Sequence, residues 1–184
     1  TTASGNTALG FGALVANTTG DGNVAIGKSA LDANTTGGQS VAIGYEALTT
    51  NTTTGESTAV GYRSLKLMAS GNRNTAIGAY SGSNVTAGAY NDCMGYGALY
   101  NLSTGSNNVA VGYKALNEST TSSQNTGLGS EALRYNTTGA YNVAVGCFAA
   151  DANTTASWNT AVGYAALGNN TTGYGNVAIG YQAL

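Results

Sequence analysis

The sequence contains no histidine and no proline, two cysteines, and only 14 charged residues among 184. Each shortage excludes something. Without His there is no Ser-His-Asp triad, no Cys-His dyad and no imidazole metal site. Charged residues make up 8% of the chain, against about 25% in ordinary soluble domains. The net charge is −2, and scattered Lys and Arg offer no track for a phosphate backbone, so no nucleic-acid partner is expected. No apolar run approaches the ~20 residues of a membrane helix, so no membrane span is expected. The opening residues Thr1-Thr2-Ala3-Ser4-Gly5 do not read as a signal peptide. Disorder fits poorly, because 42% of residues are hydrophobic and net charge is low.

What the chain has instead is Gly, Thr and Asn: 28, 26 and 21 residues. They are arranged as a repeat. A pentad Asn-Thr/Val-Ala-Ile/Val-Gly starts at Asn6, Asn23, Ser40, Ser57, Asn74, Asn91, Asn108, Asn125, Asn142, Asn159 and Asn176. Every interval is 17 residues, without insertion or deletion. Counting the first pentad residue as position one, the unit reads N-[TV]-A-[IV]-G-Y-x-A-L-x-x-N-T-T-G-x-x. Residues 1–184 therefore form one uninterrupted repeat domain. The chain starts and stops in mid-unit without a capping segment, so it is expected to be a segment of a longer fibrous protein.

Seventeen residues are too few for a helix pair, and an alternating pentad with β-branched residues reads as a short strand. Gly occupies position five in all eleven units: Gly10, Gly27, Gly44, Gly61, Gly78, Gly95, Gly112, Gly129, Gly146, Gly163 and Gly180. A fixed Gly predicts a structural corner with backbone angles closed to other residues. The fold expected is all-β: a parallel β-solenoid, one repeat per coil, about ten and a half coils. Stacking at ~4.8 Å gives a rod about 50 Å long. Pro is missing because it would delete a ladder donor. The period is strict because an added residue would turn a side chain to the opposite face.

Twelve of the 14 charges fall at positions seven, ten, eleven, sixteen and seventeen, which reads as the outside. Positions two, four and nine are then expected to point inward. The position-four core would comprise Leu9, Ile26, Ile43, Val60, Ile77, Val111, Val145, Val162 and Ile179. Position twelve is Asn in six units but apolar at Met68, Val85 and Leu102. It predicts a buried amide ladder through Asn17, Asn34, Asn51, Asn136, Asn153 and Asn170, each bonded to the Asn one coil away. Small residues at positions three and eight suggest close approach between chains, or simply a coil too narrow for more than Ala.

The run Asn176-Val177-Ala178-Ile179-Gly180-Tyr181-Gln182-Ala183-Leu184, preceded by Asn170-Thr171-Thr172-Gly173, resembles the 17-residue repeats of bacteriophage and bacterial tail-fibre-domain proteins. The pentad Ser40-Val41-Ala42-Ile43-Gly44 is also similar to the head repeats of trimeric autotransporter adhesins, which form a left-handed parallel β-roll. The first resemblance covers essentially the whole chain, the second only the pentad. Together they imply an extended, self-associating fibre, a homotrimer or filament, located outside the cell, on a cell surface or on a virion. The self-cleaving chaperone domain that often follows such repeats has no counterpart in this sequence.

Other motifs are weak. Gly22-Asn23-Val24-Ala25-Ile26-Gly27-Lys28-Ser29 matches the P-loop pattern, but its middle is the repeat strand rather than a strand-to-helix loop. Cys93 and Cys147 lie three units apart, about 14 Å along the stack at ~4.8 Å per coil, too far for a disulfide. Ten Asn-x-Ser/Thr sequons follow from the repeat composition, and most lie in the inward Asn column. Thr pairs at positions thirteen and fourteen resemble an ice-binding array, but alternation would leave one outward Thr per coil. Tyr recurs at position six, at Tyr45, Tyr62, Tyr96, Tyr113, Tyr164 and Tyr181, as a sugar-binding stripe or a corner seal. Units four to six are irregular, and Tyr80, Tyr90, Tyr96 and Tyr100 gather there as a candidate lateral recognition surface. No carboxylate pair recurs at a catalytic spacing. No catalytic residue, cofactor or metal ligand is identified, and enzymatic activity is not expected. The functional expectation is a structural shaft projecting a binding tip, with glycan or receptor contact made by domains outside this segment. The alternative is a ligand-binding solenoid using a Thr or Tyr ladder for ice or glycan.

Overall fold

A computed structural model describes residues 2–184. Eleven three-residue strands occupy positions two to four of successive units, from β1 (Thr7–Leu9) to β11 (Val177–Ile179). They form one parallel sheet in sequence order, each strand paired with the next at an offset of 17 residues. Among the described residues no helix forms. The chain is a β-solenoid with one repeat per coil.

Stacking extends well beyond the strands. Thr35 N–H donates to Thr52 C=O at 2.7 Å, Leu31 N–H to Ala47 C=O at 3.1 Å and Gln39 N–H to Asp21 C=O at 2.8 Å. Each coil thus satisfies its turns against its neighbours, as buried backbone must. The cost appears in the dihedrals. Position-five Gly takes φ between +126° and +139° in every unit, so the predicted corner is there. Positions seven, nine and seventeen are also left-handed in every unit, and 27 of these residues are not Gly. A non-Gly residue at positive φ costs roughly 1–2 kcal/mol. The coil imposes it because this geometry aims nearly all of those N–H groups at a carbonyl of the adjacent coil, as at Leu31 and Gln39.

The interior differs from the sequence expectation in one respect. Position nine is inside as expected, with Leu31, Leu48, Leu65, Leu99, Leu116 and Leu133 fully buried. Position three is inside as well, and positions two and four point outward: strands β2 (Val24–Ile26) to β5 (Thr75–Ile77) each bury only their central Ala. Leu9, Ile26, Ile43, Val60, Ile77, Val111, Val145, Val162 and Ile179 are therefore not core residues of the chain. Ile26, Ile43, Val60, Ile77, Val145 and Val162 are half-buried, while Leu9, Val111 and Ile179 are exposed, Ile179 at 70%. The reason is width. A Cβ placed on Gly127, at position three, would meet Leu116 Cγ and Cδ1 at 3.5 Å. The strand faces the Leu column so closely that only Ala fits between them. Ala at positions three and eight is the coil's own core, at or near zero exposure along the stack, so neither Ala column is an inter-chain surface.

Units four to six keep this core filled by exchange. Gly82 replaces Leu, and a Cβ there would meet Leu65 Cδ2 at 2.8 Å, Cys93 Sγ at 3.4 Å and Val85 Cγ2 at 3.5 Å. Larger residues at positions three and twelve occupy the space the missing Leu leaves. The irregular stretch is a locally repacked core.

Candidate functional site

Buried amides organise the back of the coil. The predicted position-twelve ladder exists but is short. Asn34 Nδ2 donates to Asn17 Oδ1 at 3.1 Å and Asn153 Nδ2 to Asn136 Oδ1 at 2.9 Å. The ladder stops at Asn51, whose Nδ2 has no partner, just before Met68. The commoner bond of this column closes a local turn: Asn17, Asn34, Asn136, Asn153 and Asn170 each donate to the carbonyl three residues on. Sequence reasoning missed the longer ladder at position one. There each side-chain oxygen accepts from the backbone N–H one coil later, without a break from Asn6 to Asn176, as at Asn108 N–H to Asn91 Oδ1 (3.1 Å) and Asn74 N–H to Ser57 Oγ (3.2 Å). The signal was visible, since only Asn or Ser occupies that column.

The Thr pairs lie in a turn rather than a strand, and both members reach the surface. Most position-thirteen hydroxyls are committed, Thr52 and Thr171 excepted. Thr18, Thr35, Thr86, Ser103, Thr120, Thr137 and Thr154 each donate to the carbonyl one coil on, at 2.8–3.1 Å. The position-fourteen Thr residues are left as a file, and Ser70 and Ala87 interrupt it.

Two surface features remain. The first is the outward sheet face, where columns two and four set Val and Thr beside Ile, Val and Leu along the whole stack. The second is an aromatic line around the Gly corner. Tyr45 and Tyr62 stack at 5.3 Å, Tyr62 meets Tyr80 edge-on at 5.2 Å, Tyr80 meets Tyr96 at 5.8 Å, and Tyr96 stacks on Tyr113 at 5.8 Å. Ala79 stands where unit five would carry its Tyr, and Tyr80 from the next position fills the gap. Tyr164 and Tyr181 form a separate stacked pair. Of the four candidate recognition residues, Tyr80, Tyr96 and Tyr100 converge, with Tyr80 and Tyr100 at 6.1 Å. Tyr90 does not join them. It sits at position seventeen, where its hydroxyl accepts from Arg73 at 2.8 Å.

Charges brace the line. Glu46 holds Arg63 at 2.9 Å and Lys66 at 2.8 Å, and the Lys66 hydrogen bond, foremost, holds its carboxyl at about 2. Arg63 lies over Tyr62 at 5.1 Å. Next to Tyr80, Tyr96 and Tyr100 lies a hollow of about 420 Å³, also bounded by Lys114, Asn101 and Glu118. Cys93 and Cys147 are both free. Burial pushes the Cys93 thiol up to about 12, which removes its nucleophilic form at neutral pH. Among the described residues no three His, Cys, Asp or Glu side chains gather to hold a metal, and no helix is long and apolar enough to cross a membrane.

No family model, curated protein or solved structure matches this chain.

Proposed function

We propose that the chain is a structural shaft: a β-solenoid segment of an extracellular or virion appendage whose copies associate side by side, as a trimer, to project a binding tip. One observation carries this reading, the outward aliphatic sheet face. At ~4.8 Å per strand the face is about 50 Å long and about 10 Å wide. That puts it near the upper end of the ~300–600 Å² patches found on monomers. Asp92 is the single charge in its two columns. A second copy packed on this face would bury it. The resemblance of the repeats to tail-fibre and adhesin sequences supports the same arrangement. The internal commitment of the position-thirteen hydroxyls counts against an ice-binding array.

Light scattering at micromolar concentration tests the reading. A mass of three 18.2-kDa chains is expected, and Val60→Lys with Ile77→Lys, both outward on the sheet, should lower it. A monomer at that concentration overturns the reading.

A further inference from the structure

We propose that the hollow beside Tyr80, Tyr96 and Tyr100 is a lateral binding site for an acidic saccharide. The site stands on the single chain and does not depend on the number of chains in the shaft. Its residues come from positions six, seven, ten and eleven of units four to seven, around the Gly corner from the sheet face, so lateral packing of sheets leaves it a separate surface. The volume, about 420 Å³, lies within the ~300–1,000 Å³ of small-ligand pockets.

Three observations select the ligand class. First, the Tyr rings cross rather than form one stack, with Tyr80 at 74° to Tyr96 and at 72° to Tyr100. They present apolar ring surface of the kind that packs against the C–H face of a pyranose, with phenol oxygens at the margin. Second, the polar side chains are already oriented. Asn101 Nδ2 donates to Glu118 Oε2 at 2.7 Å and Asn117 Nδ2 donates to the Gly97 carbonyl at 2.6 Å. That leaves Asn117 Oδ1 and Glu118 Oε1 as fixed acceptors for hydroxyls. Third, the hollow holds two cations, Arg63 and Lys114. Arg63 is held by Glu46, whereas Lys114 has no carboxylate within ion-pair distance among the described residues. Its ammonium lies 5.3 Å from the centroid of Tyr113, the ring stacked on Tyr96, and suits a sugar bearing a carboxylate, bound by a charge-assisted hydrogen bond.

Departures from the repeat consensus explain why the site occurs here. Ala79 removes the regular Tyr, Tyr80 moves into the line from the next position, and Tyr100 occupies position ten, where no other unit carries an aromatic.

The test is saturation-transfer NMR with methyl β-glucuronide and methyl β-glucoside on the intact chain. The glucuronide should bind in the millimolar range and the glucoside about tenfold more weakly, as for the loss of one charged contact. Lys114→Met should bring the two sugars to equal affinity. Tyr96→Ala, at a half-exposed position, should lower both. Unchanged β circular dichroism in each variant separates lost binding from lost folding. No transfer to either sugar overturns the proposal. So does equal binding of both by the unsubstituted chain, or binding indifferent to Tyr96→Ala.

Discussion

Replacing Gly78 by Ala tests the corner that closes every coil. Gly78 has φ +128°, and a Cβ there would lie 2.7 Å from Gly95 O and 2.8 Å from Gly95 C. Both are backbone atoms of the next coil, tied down by Gly95 N–H donating to Ile77 C=O at 2.8 Å. The dihedral alone costs about 1–3 kcal/mol, and forcing a methyl against fixed backbone adds about 1–3 kcal/mol. The total expected is about 2–6 kcal/mol. Gly97→Ala, two residues beyond the next corner, is the control. Its φ is +63°, as at the non-Gly residues of position seven, and the nearest atom is in a side chain rather than backbone, Asn117 Nδ2 at 3.2 Å, so about 1 kcal/mol is expected. Urea denaturation at constant association state reads both. Because each coil contacts only its neighbours, a broken corner divides the stack. Amide exchange in the adjoining coils should therefore speed up in Gly78→Ala alone. Equal costs for the two substitutions, within about 0.5 kcal/mol, would refute the close-approach argument.

Three further outcomes follow from the same geometry. Asn108→Ala removes the acceptor for Asn125 N–H and the donor to Ser122 C=O; thermal melts should show a loss of about 2–5 kcal/mol, whereas Asn108→Ser, which imitates Ser57, should cost less. Gln124 is exposed with φ +59°, so Gln124→Gly should stabilise by about 1 kcal/mol in chemical denaturation, by relief of the left-handed conformation. Glu46 has a lowered folded-state pKa of about 2 against an ordinary 4.5, through Lys66 first. Its stabilisation is therefore complete above about pH 4.5 and lost as pH falls through 2, and Glu46→Gln should flatten that part of the stability–pH curve. Asp32 and Asp151, whose carboxyls burial raises, act in the opposite sense; comparing Glu46→Gln with the unsubstituted chain cancels Asp151, and pairing it with Asp32→Asn in both chains removes Asp32, which Glu46 itself helps to raise.

The coil was legible in the sequence because the 17-residue period, the invariant Gly and the missing Pro are each backbone requirements. The Leu column and the burial of Met68, Val85 and Leu102 were legible too, since an apolar exchange for Asn reveals an interior. The orientation of the strand was not. Val-Ala-Ile reads as large-in, small-out when apolarity alone is weighed, yet the facing Leu leaves room only for Ala. Nor do residue types announce the left-handed conformation at Leu31 or Glu46, because the hydrogen bonds that impose it belong to the adjacent coil. At the candidate site, the gathering of Tyr80, Tyr96 and Tyr100 was visible as irregular repeats. The exclusion of Tyr90 depended on which side of the coil position seventeen occupies, which spacing alone does not give.

The same narrowness that admits only Ala determines what the chain presents outside. A strand turns alternate residues to opposite faces, so placing Ala inside forces positions two and four out. Those columns hold Val, Ile, Leu, Met and Thr where a solitary solenoid in water would do better with charge. Charge is kept elsewhere: Glu46 with Arg63 and Lys66, Glu56 with Arg73, and Glu131 with Arg134 all lie at positions seven, ten and seventeen. Asp92 is the exception. It enters beside Cys93 and Met94, in the stretch where the core is repacked and the Tyr line departs from its register. The aliphatic face is therefore not leftover core, because the core is complete without it. Apart from Asp92 it carries no charge through eleven coils, and under the side-by-side association proposed above a second copy of the same face would match it in chemistry and period, coil for coil.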